Sequence, residues 1–172
     1  MNSGHILFVG FMGAGKSTVA RSVAASLGLP YVDLDSSIEE RAGMTAAEIF
    51  SRAGEDGFRD LESEALADLI ERPPLVIACG GGVILRAENR AALKRMGTVV
   101  YLQVTAAEAI ARVGDASTRP LLAGPAGALA ATSLLTAREA LYRAVADIVV
   151  ETVGRSADEV ADAVLERLGA GS

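Results

Sequence analysis

Gly10-Phe11-Met12-Gly13-Ala14-Gly15-Lys16-Ser17 sets four residues between Gly10 and Gly15, followed at once by a lysine and a hydroxyl, the pattern of a phosphate-binding loop. Four apolar residues, Ile6-Leu7-Phe8-Val9, precede it as a buried strand would. Val19, Val23 and Leu27 then recur at helical spacing, and Gly28 stands where a helix C-cap glycine belongs. The stretch therefore predicts a strand-to-helix turn, with Thr18 opening the helix proper, and with it an α/β fold. Its chemistry follows from residue type. The glycines let successive N–H groups and the helix N-terminus surround phosphate oxygens. Lys16 brings a positive charge to the β- and γ-phosphates, and the Ser17 hydroxyl is placed to ligate Mg²⁺. Gly13, Ala14, Gly15, Lys16, Ser17 and Thr18 are thus the candidate nucleotide-binding residues.

The 172 residues suit a single domain, and a 51% hydrophobic content supplies a sizeable core. A formal charge of −6 excludes general nucleic-acid binding, because no basic face can replace the counterions of a phosphate backbone. Any anionic ligand must be held by a few local cations. The one cysteine, Cys79, rules out an internal disulfide framework and suits a reducing cytosol. The first fifteen residues contain no Lys or Arg, so the apolar start reads as a strand and not as a signal peptide. A second uncharged run, from Pro120 to Ala137, is broken by Gly124, Pro125, Gly127, Thr132 and Ser133 and makes a poor membrane span.

Further along the chain, apolar runs alternate with helical patterns. Tyr31 to Asp35, Leu75 to Cys79, Val99 to Val104 and Ile148 to Val150 join Ile6 to Val9 as five strands, so the alternation predicts a parallel sheet covered on both faces. Capping boxes at Thr45/Glu48, Thr105/Glu108 and Ser156/Glu159 announce three helices. Two excursions interrupt the alternation. The chain between Asp35 and Leu75, with helical patterns at Thr45 to Arg52 and Phe58 to Arg72, is long enough for a small side lobe. The glycine- and proline-bearing segment from Gly114 to Ala137 has the composition of a lid that precedes a helix carrying Arg138.

Chemistry-bearing residues cluster at the predicted ligand-binding ends of the strands. Asp33 and Asp35, two apart, point to one side of a regular strand: one suits the Mg²⁺ shell beside Ser17, the other an acceptor hydroxyl. Gly80-Gly81-Gly82 leaves its backbone bare for contact with a polyhydroxylated substrate. Cys79 reads as a small buried hydrophobe rather than a nucleophile. Arg59 and Arg138 are single cations among others, whereas Arg119, in Arg119-Pro120-Leu121-Leu122, sits in the proposed lid where closure would bring it to the transferring phosphoryl group.

In order and spacing, Gly10 to Ser17, Asp33-Leu34-Asp35, Phe58-Arg59, Gly80-Gly81-Gly82, Arg119-Pro120-Leu121-Leu122 and Arg138-Glu139-Ala140-Leu141-Tyr142 resemble the shikimate kinase family across nearly the whole chain. The resemblance implies a three-layer α/β sandwich of the nucleoside-monophosphate-kinase type, with a five-stranded parallel sheet, a substrate-binding lobe at about residues 33 to 61 and a lid at about 114 to 127. It implies γ-phosphoryl transfer from MgATP to the 3-hydroxyl of shikimate, a step toward chorismate and the aromatic amino acids, by a cytoplasmic monomer. It also implies shikimate contacts for Asp35, Arg59, Gly80, Gly81, Gly82 and Arg138, metal roles for Ser17 and Asp33, catalytic roles for Lys16, Asp35 and Arg119, and an adenine contact for Arg112. The residues by themselves leave two alternatives open: another small-molecule kinase, acting on gluconate or a nucleoside monophosphate, or a nucleotide-gated switch. An Asn-Lys-x-Asp guanine-reading motif is absent from the sequence.

Overall fold

The computed structural model describes residues 4–113 and 124–171. Five parallel strands form one sheet: β1 (His5–Val9), β2 (Tyr31–Asp33), β3 (Val76–Ala78), β4 (Gly97–Gln103) and β5 (Ile148–Glu151), in the order β2-β3-β1-β4-β5. The central strand β1 is buried along its whole length, as a strand covered on both faces must be. Its partners run in register on either side, with Leu7 opposite Ile77 of β3 and Val99 of β4. Helices α1 (Lys16–Leu27), α2 (Leu34–Ala42), α3 (Ala46–Ala67), α4 (Ala87–Met96), α5 (Ala106–Val113), α6 (Gly124–Val145) and α7 (Ala157–Ala170) cover the sheet.

The strand order positions the site. Chain order would give β1, β2, β3, yet β3 inserts between β1 and β2, so the segments leaving the carboxyl ends of β2, β3 and β1 lie side by side on one rim. Ligands of open parallel sheets bind at that rim. The aspartates, the glycine run and the phosphate loop are its three neighbouring segments.

Local chemistry accounts for several helix ends. Gly28 closes α1 in the left-handed conformation, and the capping boxes at Thr45 and Ser156 start α3 and α7 with both reciprocal bonds formed. At Thr105 the hydroxyl accepts from the Glu108 N–H at 3.2 Å, while the Glu108 carboxylate pairs with Arg112.

Four expectations are corrected. Helix α1 begins at Lys16, not Thr18. The second strand stops at Asp33, so Asp33 and Asp35 do not share one side of a strand: Asp33 caps α2, its Oδ1 accepting from the Ser36 N–H at 3.1 Å, and Asp35 sits in the first helical turn. An aspartate is among the strongest N-caps, and here that preference overrides the extended run. The two helical patterns expected after Thr45 are the two arms of α3 on either side of the non-helical Gly54, but the second arm ends at Ala67 and not at Arg72. Residues 124–137, taken above as lid, are the first part of α6, because its alanines and leucines favour helix despite Gly124, Pro125 and Gly127. Residues 114–123 of the proposed lid, with Arg119, lie outside the described residues.

Candidate active site

The phosphate loop turns directly from β1 into α1. Gly13 has φ 78°, and a β-carbon there would stand 2.7 Å from the Ala109 carbonyl oxygen, so a side chain is excluded by both conformation and space. Lys16 Nζ folds back over the loop, donating to the carbonyls of Gly10 at 2.8 Å and Phe11 at 3.0 Å.

A cavity of about 220 Å³ opens above this turn. Gly13, Gly15, Lys16, Ser17 and Thr18 of the loop line it together with Asp33, Asp35, Gly80 and Gly81. The two aspartates thus reach one space although only the first ends a strand, since one helical turn carries Asp35 around to the same rim. Ser17 Oγ donates to Asp33 Oδ2 at 2.8 Å, and the Tyr31 hydroxyl donates to the same oxygen at 3.2 Å. Cys79 also borders the cavity, but burial pushes its thiol far up, which removes the thiolate a nucleophile needs.

A second cavity of about 150 Å³ lies on the other flank of the loop, sharing Gly15 and Thr18 with the first. Ala14, Val19, Arg112, Thr152 and Arg155 are among its walls. Arg112 is already engaged: it donates to the Thr152 carbonyl at 2.8 Å, to Thr152 Oγ1 at 3.0 Å and to Glu108 Oε1 at 2.8 Å.

Arg59 and Arg138, from α3 and α6, converge on the glycine run although 79 residues separate them in sequence. The Arg59 guanidinium occupies the space that a side chain at Gly82 would need, and Arg138 Nη1 lies 3.7 Å from the β-carbon position of Gly81. Glu62 joins them, a residue to which the sequence reading assigned nothing. It is fully buried, and its Oε1 accepts from Arg59 Nη1 at 2.7 Å. Burial raises its carboxyl above the ordinary range, and the Arg59 charge opposes that rise. The three-residue spacing of Arg59 and Glu62 on a helix was the available signal, though most such pairs are solvated.

Comparison with known proteins agrees with this geometry. The family model described as Shikimate kinase matches residues 12–169. A shikimate kinase of Pseudomonas savastanoi pv. phaseolicola is 43% identical over 164 residues, covering 95% of either chain. The solved shikimate kinase of Acinetobacter baumannii, in complex with shikimate, superposes with a TM-score of 0.93 at 39% identity, covering 98% of this chain and 94% of that one. That of Aquifex aeolicus superposes at 0.85 with 33% identity, covering 97% of each. With a phosphate loop, two aspartates and a glycine run around one cavity, and with likeness of this extent, the chain belongs to the shikimate kinase family.

Proposed function

We propose that this site transfers the γ-phosphoryl group of MgATP to the 3-hydroxyl of shikimate, giving shikimate 3-phosphate and ADP. The observation that carries the reading is that Asp35 borders the same cavity as Lys16 and Ser17, so an acceptor hydroxyl held by the carboxylate would face a triphosphate held by the loop. In this reading the loop N–H groups and Lys16 hold the β- and γ-phosphates. Asp35 orients the hydroxyl and accepts its proton late, because the transition state of such transfers is loose and positioning outweighs proton abstraction. Arg59 and Arg138 supply forked donors to the substrate carboxylate, and Gly80, Gly81 and Gly82 supply backbone contact. Arg119 stabilises the charge that develops on the phosphoryl group. The second cavity suits the adenine, with Arg112 in its wall.

The residues present fit Mg²⁺. Ser17 and Asp33 pair two hard oxygen donors beside the loop, and among the described residues no three or more His, Cys, Asp or Glu gather into a cage. Mg²⁺ characteristically takes one or two protein oxygens and completes its shell with phosphates and water. When bound it would neutralise part of the phosphate charge. We assign Ser17 as its ligand and Asp33 as its holder through water. The side lobe at about residues 33 to 61 and a lid at about 114 to 123, short of the helix that begins at Gly124, complete the domain, which we place in the cytosol as a monomer. No helix among the described residues is long and apolar enough to cross a membrane.

The test is product identification after mixing the protein, MgATP and shikimate, with gluconate and a nucleoside monophosphate as competing acceptors. Shikimate 3-phosphate and ADP should form together, and Asp35→Asn should lower turnover about a hundredfold or more. Phosphorylation of gluconate or the nucleotide in place of shikimate would overturn the assignment.

A further inference from the structure

Tyr101 of β4 and Tyr142 of α6 stack with ring centroids 5.1 Å apart and planes inclined by 20°, both completely buried. Their hydroxyls differ in surroundings. Tyr101 Oη finds no hydrogen-bond partner among the described residues, whereas the Tyr142 hydroxyl donates to the carbonyl oxygen of Gly81. Burial pushes both phenols up to about 12, so each stays protonated through the neutral range; at Tyr142 the Arg138 charge and a hydrogen bond with Arg138 work against that rise. Tyr142 follows Arg138 by four residues on one helix, which sets the two side chains on the same face. The phenol oxygen therefore stands between the guanidinium on its own helix and a backbone carbonyl of the loop after β3.

The bond to Gly81 matters because of how the rest of the glycine run is held. The Gly80 carbonyl accepts from the Val83 N–H at 3.2 Å and the Gly82 carbonyl from the Leu85 N–H at 3.1 Å, both within the short 3₁₀ turn Val83–Leu85 and its entry. The Gly81 carbonyl depends on a donor from another element. The peptide it belongs to lies between two glycines, where no β-carbon resists rotation of the plane. Because a peptide is planar and trans, a flip would exchange the directions of the Gly81 carbonyl and the Gly82 N–H. Oxygen would then face the side that now carries a donor, which is unfavourable wherever an anion is to be received.

We propose that Tyr142 is a positioning residue whose hydroxyl locks the peptide between Gly81 and Gly82 and the Arg138 guanidinium into the one arrangement that receives the carboxylate of the acceptor. The inference rests on the assignment of Gly81 and Arg138 to the acceptor made under the proposed function. The stacked pair supplies its own control, since Tyr142→Phe and Tyr101→Phe each keep a ring and delete one hydroxyl.

The experiment measures steady-state constants for the wild type and both variants, together with amide ¹⁵N spectra of the ligand-free proteins. Tyr142→Phe should raise KM for shikimate roughly threefold to tenfold, the worth of one hydrogen bond, with kcat and KM for ATP nearly unchanged. Tyr101→Phe should leave all three constants near wild type. In the spectra the Gly82 amide should shift or broaden in Tyr142→Phe alone. An unchanged KM accompanied by a lowered melting temperature would reduce Tyr142 to packing, and equal KM rises in both variants would point to general loosening; either overturns the lock. Should the wild type fail to phosphorylate shikimate, the acceptor assignment falls by itself, and an undisturbed Gly82 amide in Tyr142→Phe then overturns the lock separately.

Discussion

At the scale of single residues, Glu62 makes the sharpest physical demand. A carboxylate with no exposed surface, one oxygen bonded to Arg59 and the other without a hydrogen-bond partner among the described residues, is held at a desolvation cost. Burial raises its pKa above 4.5 against the pull of Arg59, so the folded protein binds this proton more tightly than the unfolded chain does. The stability linked to that proton is present below about 4.5 and is lost as pH rises through the raised folded value. Melting curves of wild type and Glu62→Gln across that range should show the wild type losing ground to the variant as pH rises; parallel curves would mean that Arg59 compensates the charge fully. At the same scale the loop residues Gly10 to Ser17 were legible because the chemistry of phosphate binding demands those residue types in that order. Glu62 was not, since nothing in a string of letters distinguishes a buried i,i+3 partner from a solvated one.

Among the elements, α3 carries the clearest stored constraint. Phe50 and Phe58 stack with centroids 4.7 Å apart, whereas eight residues of straight helix would separate them by about 12 Å along the axis. The kink at Gly54, with φ 72° and ψ −176°, closes that gap. That conformation is essentially restricted to glycine, and no atom lies within 4 Å of a β-carbon built there, so the penalty for a side chain is conformational and not steric. Gly54→Ala should cost about 1–3 kcal/mol in urea unfolding. A loss well below that range would mean that α3 straightens at little expense. The capping boxes at Thr45 and Ser156 were readable in advance because a helix start is decided by residues three apart. The end of β2 was not, because an extended run and a cap compete for the same aspartate, and α6 absorbed a glycine-bearing stretch that looked like loop.

On the scale of the whole molecule, five sequence-distant segments meet at one rim, so ligand binding should stabilise the fold as a unit. With free shikimate at one hundred times its dissociation constant, mass action predicts about 2.7 kcal/mol of added stability, roughly 5–10 °C in melting temperature for a chain of this size. The shift should be absent with gluconate; an equal shift with both would show that the acceptor pocket does not discriminate. By itself the sequence determined the phosphate loop, the alternation that makes a parallel α/β sheet, and the starts of α3, α5 and α7, since each depends on residues within one or two turns of one another. Only the tertiary structure decided that β3 inserts between β1 and β2, that Asp35 reaches the loop cavity from a helix, and that Arg59, Glu62, Arg138 and Tyr142 gather on Gly80, Gly81 and Gly82. Those facts depend on strand order and burial, which arise when distant segments exclude water together and leave no periodic trace in any one of them.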